Sequence, residues 1–517
     1  MTMSHAPARV ETTSVLDSSE KVLDSSDKVS VTEYTDPICS WAWGSEPKLR
    51  LLRWRHGHRL NWRTVMGGLV GDATRGRSDW DPVLAAKPMQ VYWRQTNGYT
   101  AQPYPMPMHR MARSTDPAGR AVKAALNQGP DIAERVLRRL RESTFLFGVT
   151  PFTAEEFAEA ARGVPGLDVD RLVRDFDTTE VAAAYLADWE ETRRPNDHVR
   201  FLEGSSAGIG NLKHSEGHDR YAFPTLIMRG TAGEATVPGW MPFDAYVAAL
   251  ECALPGSTRD PRPDPTPQQA FDEWGVLTAT ELAVVCGGVA VDPGWLPTGT
   301  VAHYWGNGAV YFTPDEARAR ELATLSPVAV QSLVDLFGVS QVISGQIGSI
   351  QPDEWENATP CEDWNVRALV NHIVGGIHMV TYGLHGRAIG PDFYGDHLGD
   401  DPTVNHLAAV EEMREAFRAD APVLDRTLSM PWGPCLGSYL AAMFAADHVV
   451  HAWDLAQALG RDVEFDQPTV RRAQEFADAY VPSRRGPGMF GDQVLVSGSA
   501  SAIEELVAFV GRKVPGA

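Results

Sequence analysis

At 517 residues, 43% hydrophobic and 22% charged, the chain is too long for one ordinary core, so two or three globular domains of a soluble protein are expected. A formal net charge of −21 excludes the broadly basic surface that nucleic-acid binding needs. Five scattered cysteines (39, 252, 286, 361 and 435) argue against a disulfide framework and fit a reducing cytoplasm, and neither a membrane-length apolar run nor a signal peptide is found.

Residues 1–27 hold a near repeat, Val15 to Lys21 and Val22 to Lys28, too short to bury a core, and read as a flexible tail. Val29 to Tyr34 alternates as a strand does. Thr35-Asp-Pro-Ile-Cys-Ser-Trp-Ala-Trp-Gly44 follows, and Pro47 to Arg55 then carries Leu49, Leu51, Leu52 and Trp54 at helical spacing. Cys39 therefore stands where a strand hands over to a helix. Unpaired N–H groups and the macrodipole favour an anion there. A thiol so placed is expected to ionise near neutral pH, which makes Cys39 the leading nucleophile candidate. A partly buried, inert cysteine is the alternative.

Leu60 to Met66 reads as a second strand. A helical block follows, with main segments Ala121–Leu126, Ile132–Leu146, Ala154–Ala161 and Arg171–Trp189. Tyr221 to Met228 returns to β character and Pro242 to Ala253 to helix, so residues 28–254 describe a small α/β sheet with a helical insertion. Through Asp36-Pro37-x-Cys39-x-Trp41-x-Trp43 and Phe223-Pro224-Thr225-Leu226, this segment resembles the DsbA family of thioredoxin-fold proteins, including its FrnE-like and 2-hydroxychromene-2-carboxylate isomerase branch. The resemblance implies a cis Pro224 opposite the cysteine, catalysis by Cys39 with Ser40, and contacts to thiol or substrate from Trp41, Phe223, Pro224 and Thr225. Redox members of that family have a second cysteine three positions after the first. Here that position is Ala42, so Cys39 has no local partner for an internal disulfide. Single-thiol chemistry, a monothiol oxidoreductase and a non-catalytic adaptor all stay open.

Residues 255–267 are a proline-rich linker. Residues 268–325 read as two helices (Gln268 to Trp274, Ala279 to Cys286) and a hairpin, Val301 to Phe312, about a Gly-Asn-Gly turn. That outlines a winged-helix-like module. Its second helix has no basic residue, so it is read as a packing or spacer element and not a DNA reader.

Residues 326–517 carry long helix-period segments at Pro327–Ile347, Val366–Leu384, Val404–Leu424, Leu436–Leu459 and Thr469–Tyr480, enough for a four-helix bundle, with Asp363 as a cap. Asp447 and His451, four apart, share a helical face that His372 can meet from the second helix. Two imidazoles and a carboxylate make a three-ligand catalytic zinc site. The bland alternative is a set of hydrogen-bonded core histidines. His448 ranks below the three as a ligand, His378 is read as structural, and Asp454 as a group supporting a ligand. Thr359-Pro-Cys-Glu-Asp-Trp, Leu369-Val-Asn-His372 and Asp447-His-Val-Val-His451-Ala-Trp-Asp-Leu455 resemble the DinB-like, mycothiol-dependent maleylpyruvate isomerase superfamily. That resemblance implies a four-helix bundle holding a divalent metal through His372, Asp447 and His451, with mycothiol as thiol cosubstrate. Together the two likenesses imply a cytoplasmic, actinobacterial thiol S-transferase or cis–trans isomerase. Its substrate would be a small electrophile, in specialised metabolism, with neither nucleic acid nor membrane as partner.

Overall fold

The structure is a computed structural model and describes residues 28–74, 80–104, 108, 110–203, 208, 210–288, 291–305, 308–322, 327–387, 395–486 and 489–514. The tail reading of residues 1–27 lies outside them, as do the first two residues of the Gly-Asn-Gly turn.

β1 (Val29–Thr35), α1 (Ser40–His56) and β2 (Leu60–Met66) form a parallel β-α-β unit, with Val29 opposite Leu60 and Thr35 opposite Met66. The chain then leaves the sheet for α2 (Pro82–Thr100), α3 (Asp116–Leu126), α4 (Pro130–Phe145), α5 (Ala154–Ala160), α6 (Val169–Phe176), α7 (Thr179–Thr192) and α8 (Asp197–Arg200). A short hairpin, β3 (Lys213–Ser215) and β4 (His218–Arg220), leads back to β5 (Thr225–Gly230), β6 (Gly233–Pro238) and α9 (Phe243–Ala253). Strand order is β2-β1-β5-β6, with β5 antiparallel to both neighbours. This is the thioredoxin fold with a helical insertion.

The two faces of this sheet do different work because side chains alternate along a strand. Val29, Val31, Leu226 and Met228 pack with Leu52 of α1 and Tyr246 of α9. On the other side Tyr34, Val65 and Ile227 pack with Cys39, Tyr221 and Phe223. Gly67, just past β2, is required by that second layer: a Cβ there would lie 1.9 Å from the Phe223 ring.

Three elements differ from expectation. The expected helix Arg171–Trp189 is two helices, because Thr178 stops the first and caps the second through Val181 N–H. The helix α2 was not foreseen; it contains Pro88, and its Val83, Leu84, Val91, Tyr92 and Tyr99 are exposed, so no apolar stripe marks it. The β stretch expected from Tyr221 begins only at Thr225, since Phe223-Pro224 is a cis peptide.

Next come α10 (Pro267–Trp274), β7 (Val276–Thr278), α11 (Ala279–Val285), β8 (Val301–Trp305), β9 (Gly308–Phe312) and α12 (Pro314–Ala319). The hairpin is joined by β7 into a sheet of order β7-β9-β8. Leu277, Leu282 and Tyr311 share one core with Val330 and Phe337 farther along the chain, whereas Val276, Val310 and Phe312 belong to the core of the helical insertion. Buried ions add to the second contact. Glu281 is fully buried and accepts from Arg138, while Arg50 of α1 donates to the Val276 carbonyl.

The last region is helical: α13 (Pro327–Ile347), α14 (Val366–Leu384), α15 (Pro402–Ala419), α16 (Gly437–Ala458), α17 (Gln467–Tyr480) and α18 (Ala502–Phe509). An unforeseen hairpin, β10 (Thr427–Met430) with β11 (Gly433–Leu436), precedes α16. α15 ends at Ala419, short of the expected Leu424. Asp363 is not the cap of α14. It has φ +66°, and Asn365 takes the capping role by accepting from Ala368 N–H at 2.9 Å.

Candidate metal centre and thiol cavity

Two helices bring His372, Asp447 and His451 together. His372 lies on α14, Asp447 and His451 one turn apart on α16, and a ligand atom from each falls within 4.8 Å of the others. His451 Nε2 is 3.4 Å from Asp447 Oδ1, and the two imidazoles meet edge-on with centroids 5.0 Å apart. The Trp364 ring lies 4.6 Å from that of His372 and 6.1 Å from that of His451, covering both.

Behind His451 is a second layer of contacts. Its Nδ1 donates to Asp454 Oδ2 at 3.1 Å. Asp454 is itself fully buried and clamped by Arg512, whose Nε and Nη2 donate to its two oxygens at 3.1 and 2.9 Å. Cys361 donates to the same carboxylate at 3.1 Å. The Thr359-to-Trp364 motif thus supplies the thiol that braces Asp454 and the ring that covers the histidines. Cys361, His451 and Asp454 also lie close enough to hold an ion, but the Arg512 guanidinium already occupies the cationic place there.

Charge follows this layout. Burial opposes a charge on His451, yet Asp447 and Asp454 hold its pKa well above the ordinary imidazole value. Burial likewise opposes a charge on Asp447, but His451 and His372 keep it below the usual carboxylate range. His372 has an exposed edge, and burial of the rest with repulsion from His451 lowers it to about 4, so it is neutral at pH 7. His448 points elsewhere: it is 1% exposed, and among the described residues neither ring nitrogen has a partner. His378 sits beside His397, 5.4 Å between centroids, and near Glu412.

The front cavity, about 870 Å³, opens over Cys39 and is lined by Ser40, Trp41 and Phe223 among others. Cys39 is the N-cap residue of α1, in extended backbone, and its Sγ donates to the Phe223 carbonyl at 3.3 Å. The expected ionised thiol is corrected here. Cys39 is only 4% exposed, and burial, with Asp36 nearby, pushes its pKa up to about 11. Desolvation outweighs the helix end. The Ser40 hydroxyl donates to that of Thr96 at 3.5 Å, and Trp41 Nε1 donates to Tyr92 at 3.1 Å. Thr225 is fully buried, and its hydroxyl donates to the Ala222 carbonyl instead of lining the cavity. Pro224 is also outside the lining; its carbonyl receives Gly239 N–H.

Comparison with known proteins finds two families on separate stretches of the chain. Residues 33–194 match the family described as thioredoxin, and residues 343–456 the one described as mycothiol maleylpyruvate isomerase N-terminal domain. The chain joins a thioredoxin-like domain to a DinB-like domain. An uncharacterised protein of Mycobacterium tuberculosis is 29% identical over 170 residues, which are 32% of this chain and 90% of that protein. The ClpXP adapter protein SpxH of Shouchella clausii is 26% identical over 258 residues, 49% of this chain and 75% of the adapter. Among solved structures, the cytosolic disulfide reductase DsbM of Pseudomonas aeruginosa shows 17% identity and a TM-score of 0.31, covering 42% of this chain and 96% of its own. A probable DsbA oxidoreductase of Streptomyces coelicolor shows 19% identity and a TM-score of 0.32, covering 44% and 89%.

Within the DinB-like domain, His451 is held by Asp454 from behind, and that hold is testable. Asp454→Asn keeps the shape but removes the charge that orients the ring. Zinc affinity, followed by competition with a chromophoric chelator, is expected to fall about 10–100-fold. An unchanged affinity would mean that Asp454 serves the Arg512 contact alone. Among the described residues no helix is long and apolar enough to cross a membrane.

Proposed function

We propose that the chain is a metal-assisted, thiol-dependent enzyme, an S-transferase or cis–trans isomerase of a small electrophile, with its chemistry in the DinB-like domain. Convergence of His372, Asp447 and His451 carries this reading. The donor set fits a divalent ion such as Zn²⁺: two imidazoles and one carboxylate, with His451 and Asp447 separated by the 3.4 Å that two ligands about 2.0–2.1 Å from one tetrahedral ion would have. When bound, such a metal lowers the pKa of a thiol it contacts, so that the thiolate of mycothiol or another small thiol prevails at neutral pH. His372, neutral at pH 7, offers a lone pair, Asp447 stays ionised, and a bound metal would take the place of the proton that His451 carries between its two carboxylates. Asp454, Arg512 and Cys361 keep the His451 ring in one orientation, and Trp364 shields the histidines on one side.

The test is metal content of the purified protein, followed by transfer of a small thiol to 1-chloro-2,4-dinitrobenzene before and after chelation. Activity is expected to vanish on chelation and to return with added Zn²⁺. Turnover that survives complete metal removal overturns the reading.

A second reading applies to the thioredoxin-like domain alone. Ala42 replaces a resolving cysteine, Cys39 is protonated at neutral pH, and the adapter protein of Shouchella clausii is a relative. These observations support a non-redox role in binding a partner over a monothiol oxidoreductase. With a pKa near 11, Cys39 holds roughly two orders of magnitude less thiolate at pH 8 than a free cysteine of pKa about 8.5. Iodoacetamide with peptide mapping is therefore expected to label the exposed Cys252 first, and Cys39 only as the pH approaches 11. Fast labelling of Cys39 at pH 7 would restore it as a nucleophile.

A further inference from the structure

The cavity over Cys39 contains a charge imbalance that neither proposed role uses. Arg220, at the end of β4, lines it and is only 7% exposed. Its Nε donates to Ser215 at 2.9 Å, its Nη1 to the Tyr221 carbonyl at 2.8 Å, and its guanidinium stacks 4.9 Å from the Phe223 ring centroid. Among the described residues, no carboxylate pairs with it. A Cys39 thiolate would attract it, but that thiol is held protonated; Asp36 and Glu216 attract it from beyond ion-pair distance, and the Asp36 oxygens are already taken by Ile38 N–H, Leu69 N–H and the Thr115 hydroxyl. Lys213 of β3 lines the same cavity, donates to Asn211 at 2.5 Å, and is held below its ordinary pKa by burial and by repulsion from Arg220.

Elsewhere in this chain buried arginines are neutralised: Arg50, Arg138 and Arg141 each have a glutamate partner. A buried cation without a counter-ion is costly, and the half-buried Lys213, cross-strand partner of Arg220 in the hairpin, adds like charge beside it. The opposite charge is then expected to arrive with a ligand. The remaining lining includes Trp80, Leu84, Met89, Trp93 and Met111, an apolar wall with a few convergent polar groups, as small-molecule sites have.

We propose that Arg220 and Lys213 form an anion subsite, and that this cavity takes a small, largely apolar molecule bearing one carboxylate or phosphate group. A neutral thiol such as mycothiol leaves the subsite unfilled. The assignment concerns the thioredoxin-like domain and is independent of the metal proposed for the DinB-like one.

The test is calorimetric titration of the full chain, treated with chelator, with 1-naphthoate, 1-naphthyl phosphate and the neutral 1-naphthamide. At least one anion is expected to bind about tenfold or more tighter than the amide, and the tighter anion identifies the chemistry. In Arg220→Gln that gap is expected to close to within about threefold, and in Lys213→Gln to narrow. Equal binding of acid and amide, no binding of any of the three, or a gap that persists in both variants overturns the proposal. Should Arg220→Gln not fold, the acid-to-amide ratio in the unaltered chain and in Lys213→Gln decides. Because metal is absent throughout, the outcome does not depend on the proposed enzyme activity.

Discussion

His451→Ala is expected to abolish divalent-metal binding and thiol transfer together, while the protein remains folded. His451 touches both carboxylates, Asp447 at 3.4 Å and Asp454 at 3.1 Å. Without it only His372 and Asp447 remain, two donors where a catalytic zinc site has three. The affinity loss should exceed the roughly 10–100-fold that changes behind the ligands cost. The fold survives because Asp454 keeps Arg512 and Cys361 as partners and is not left as an unpaired buried charge. His448→Ala is the control: one position from Asp447 but turned away, it is expected to leave metal content unchanged. Metal analysis, circular dichroism and the dinitrobenzene assay on both variants give the answer. Retained metal in His451→Ala, or lost metal in His448→Ala with its fold intact, would reject the assigned ligand set.

The convergence of His372, Asp447 and His451 was legible because helical spacing is a local rule. Asp447 and His451 share a face at a separation of four residues, and α14 and α16 are long, strongly apolar helices. The supporting layer was only partly legible. Asp454 is near in sequence, but Arg512 reaches it across 58 residues and Cys361 across 93, distances over which no pattern speaks. At the front, the Cys39 motif and the cis Pro224 could be placed from a family likeness, whereas the thiol's charge could not. A helix end predicts a lowered pKa, but the opposing desolvation depends on how far Phe223 and its neighbours enclose the sulfur. Arg220 and Lys213 were missed because an unpaired cation is recognised by what fails to approach it in space. Helix α2 was missed because its apolar residues face outward and Pro88 interrupts its pattern.

The second large effect is on stability. Glu281→Ala is expected to destabilise the protein by about 3–5 kcal/mol, the usual cost of removing one partner from a buried ion pair. Glu281 is fully buried on α11, where it closes a capping box with Thr278 by accepting its N–H at 2.9 Å. The same carboxylate receives Arg138 at 2.5 and 3.0 Å and Arg50 at 3.4 Å, and Gln102 also donates to it at 3.4 Å. Glu46 is a second acid of this cluster, beside Glu142. Burial opposes its charge, yet Arg141, Arg138 and Arg50 hold its pKa down to about 2. Alanine at 281 would leave Arg138 and Arg50 dependent on Glu46 and Glu142, and would remove half of the capping box, worth about 1 kcal/mol. Glu281→Gln keeps an acceptor for the cap while losing the charge, so its loss should be smaller. Urea unfolding followed by tryptophan fluorescence checks both variants, since Trp43, against which Arg138 stacks at 4.6 Å, reports on this contact. A loss below about 1 kcal/mol for alanine would mean that apolar packing of β7 and β9, with contacts such as Arg139–Glu316 and Arg320–Glu142, holds the middle module to the thioredoxin-like domain without Glu281.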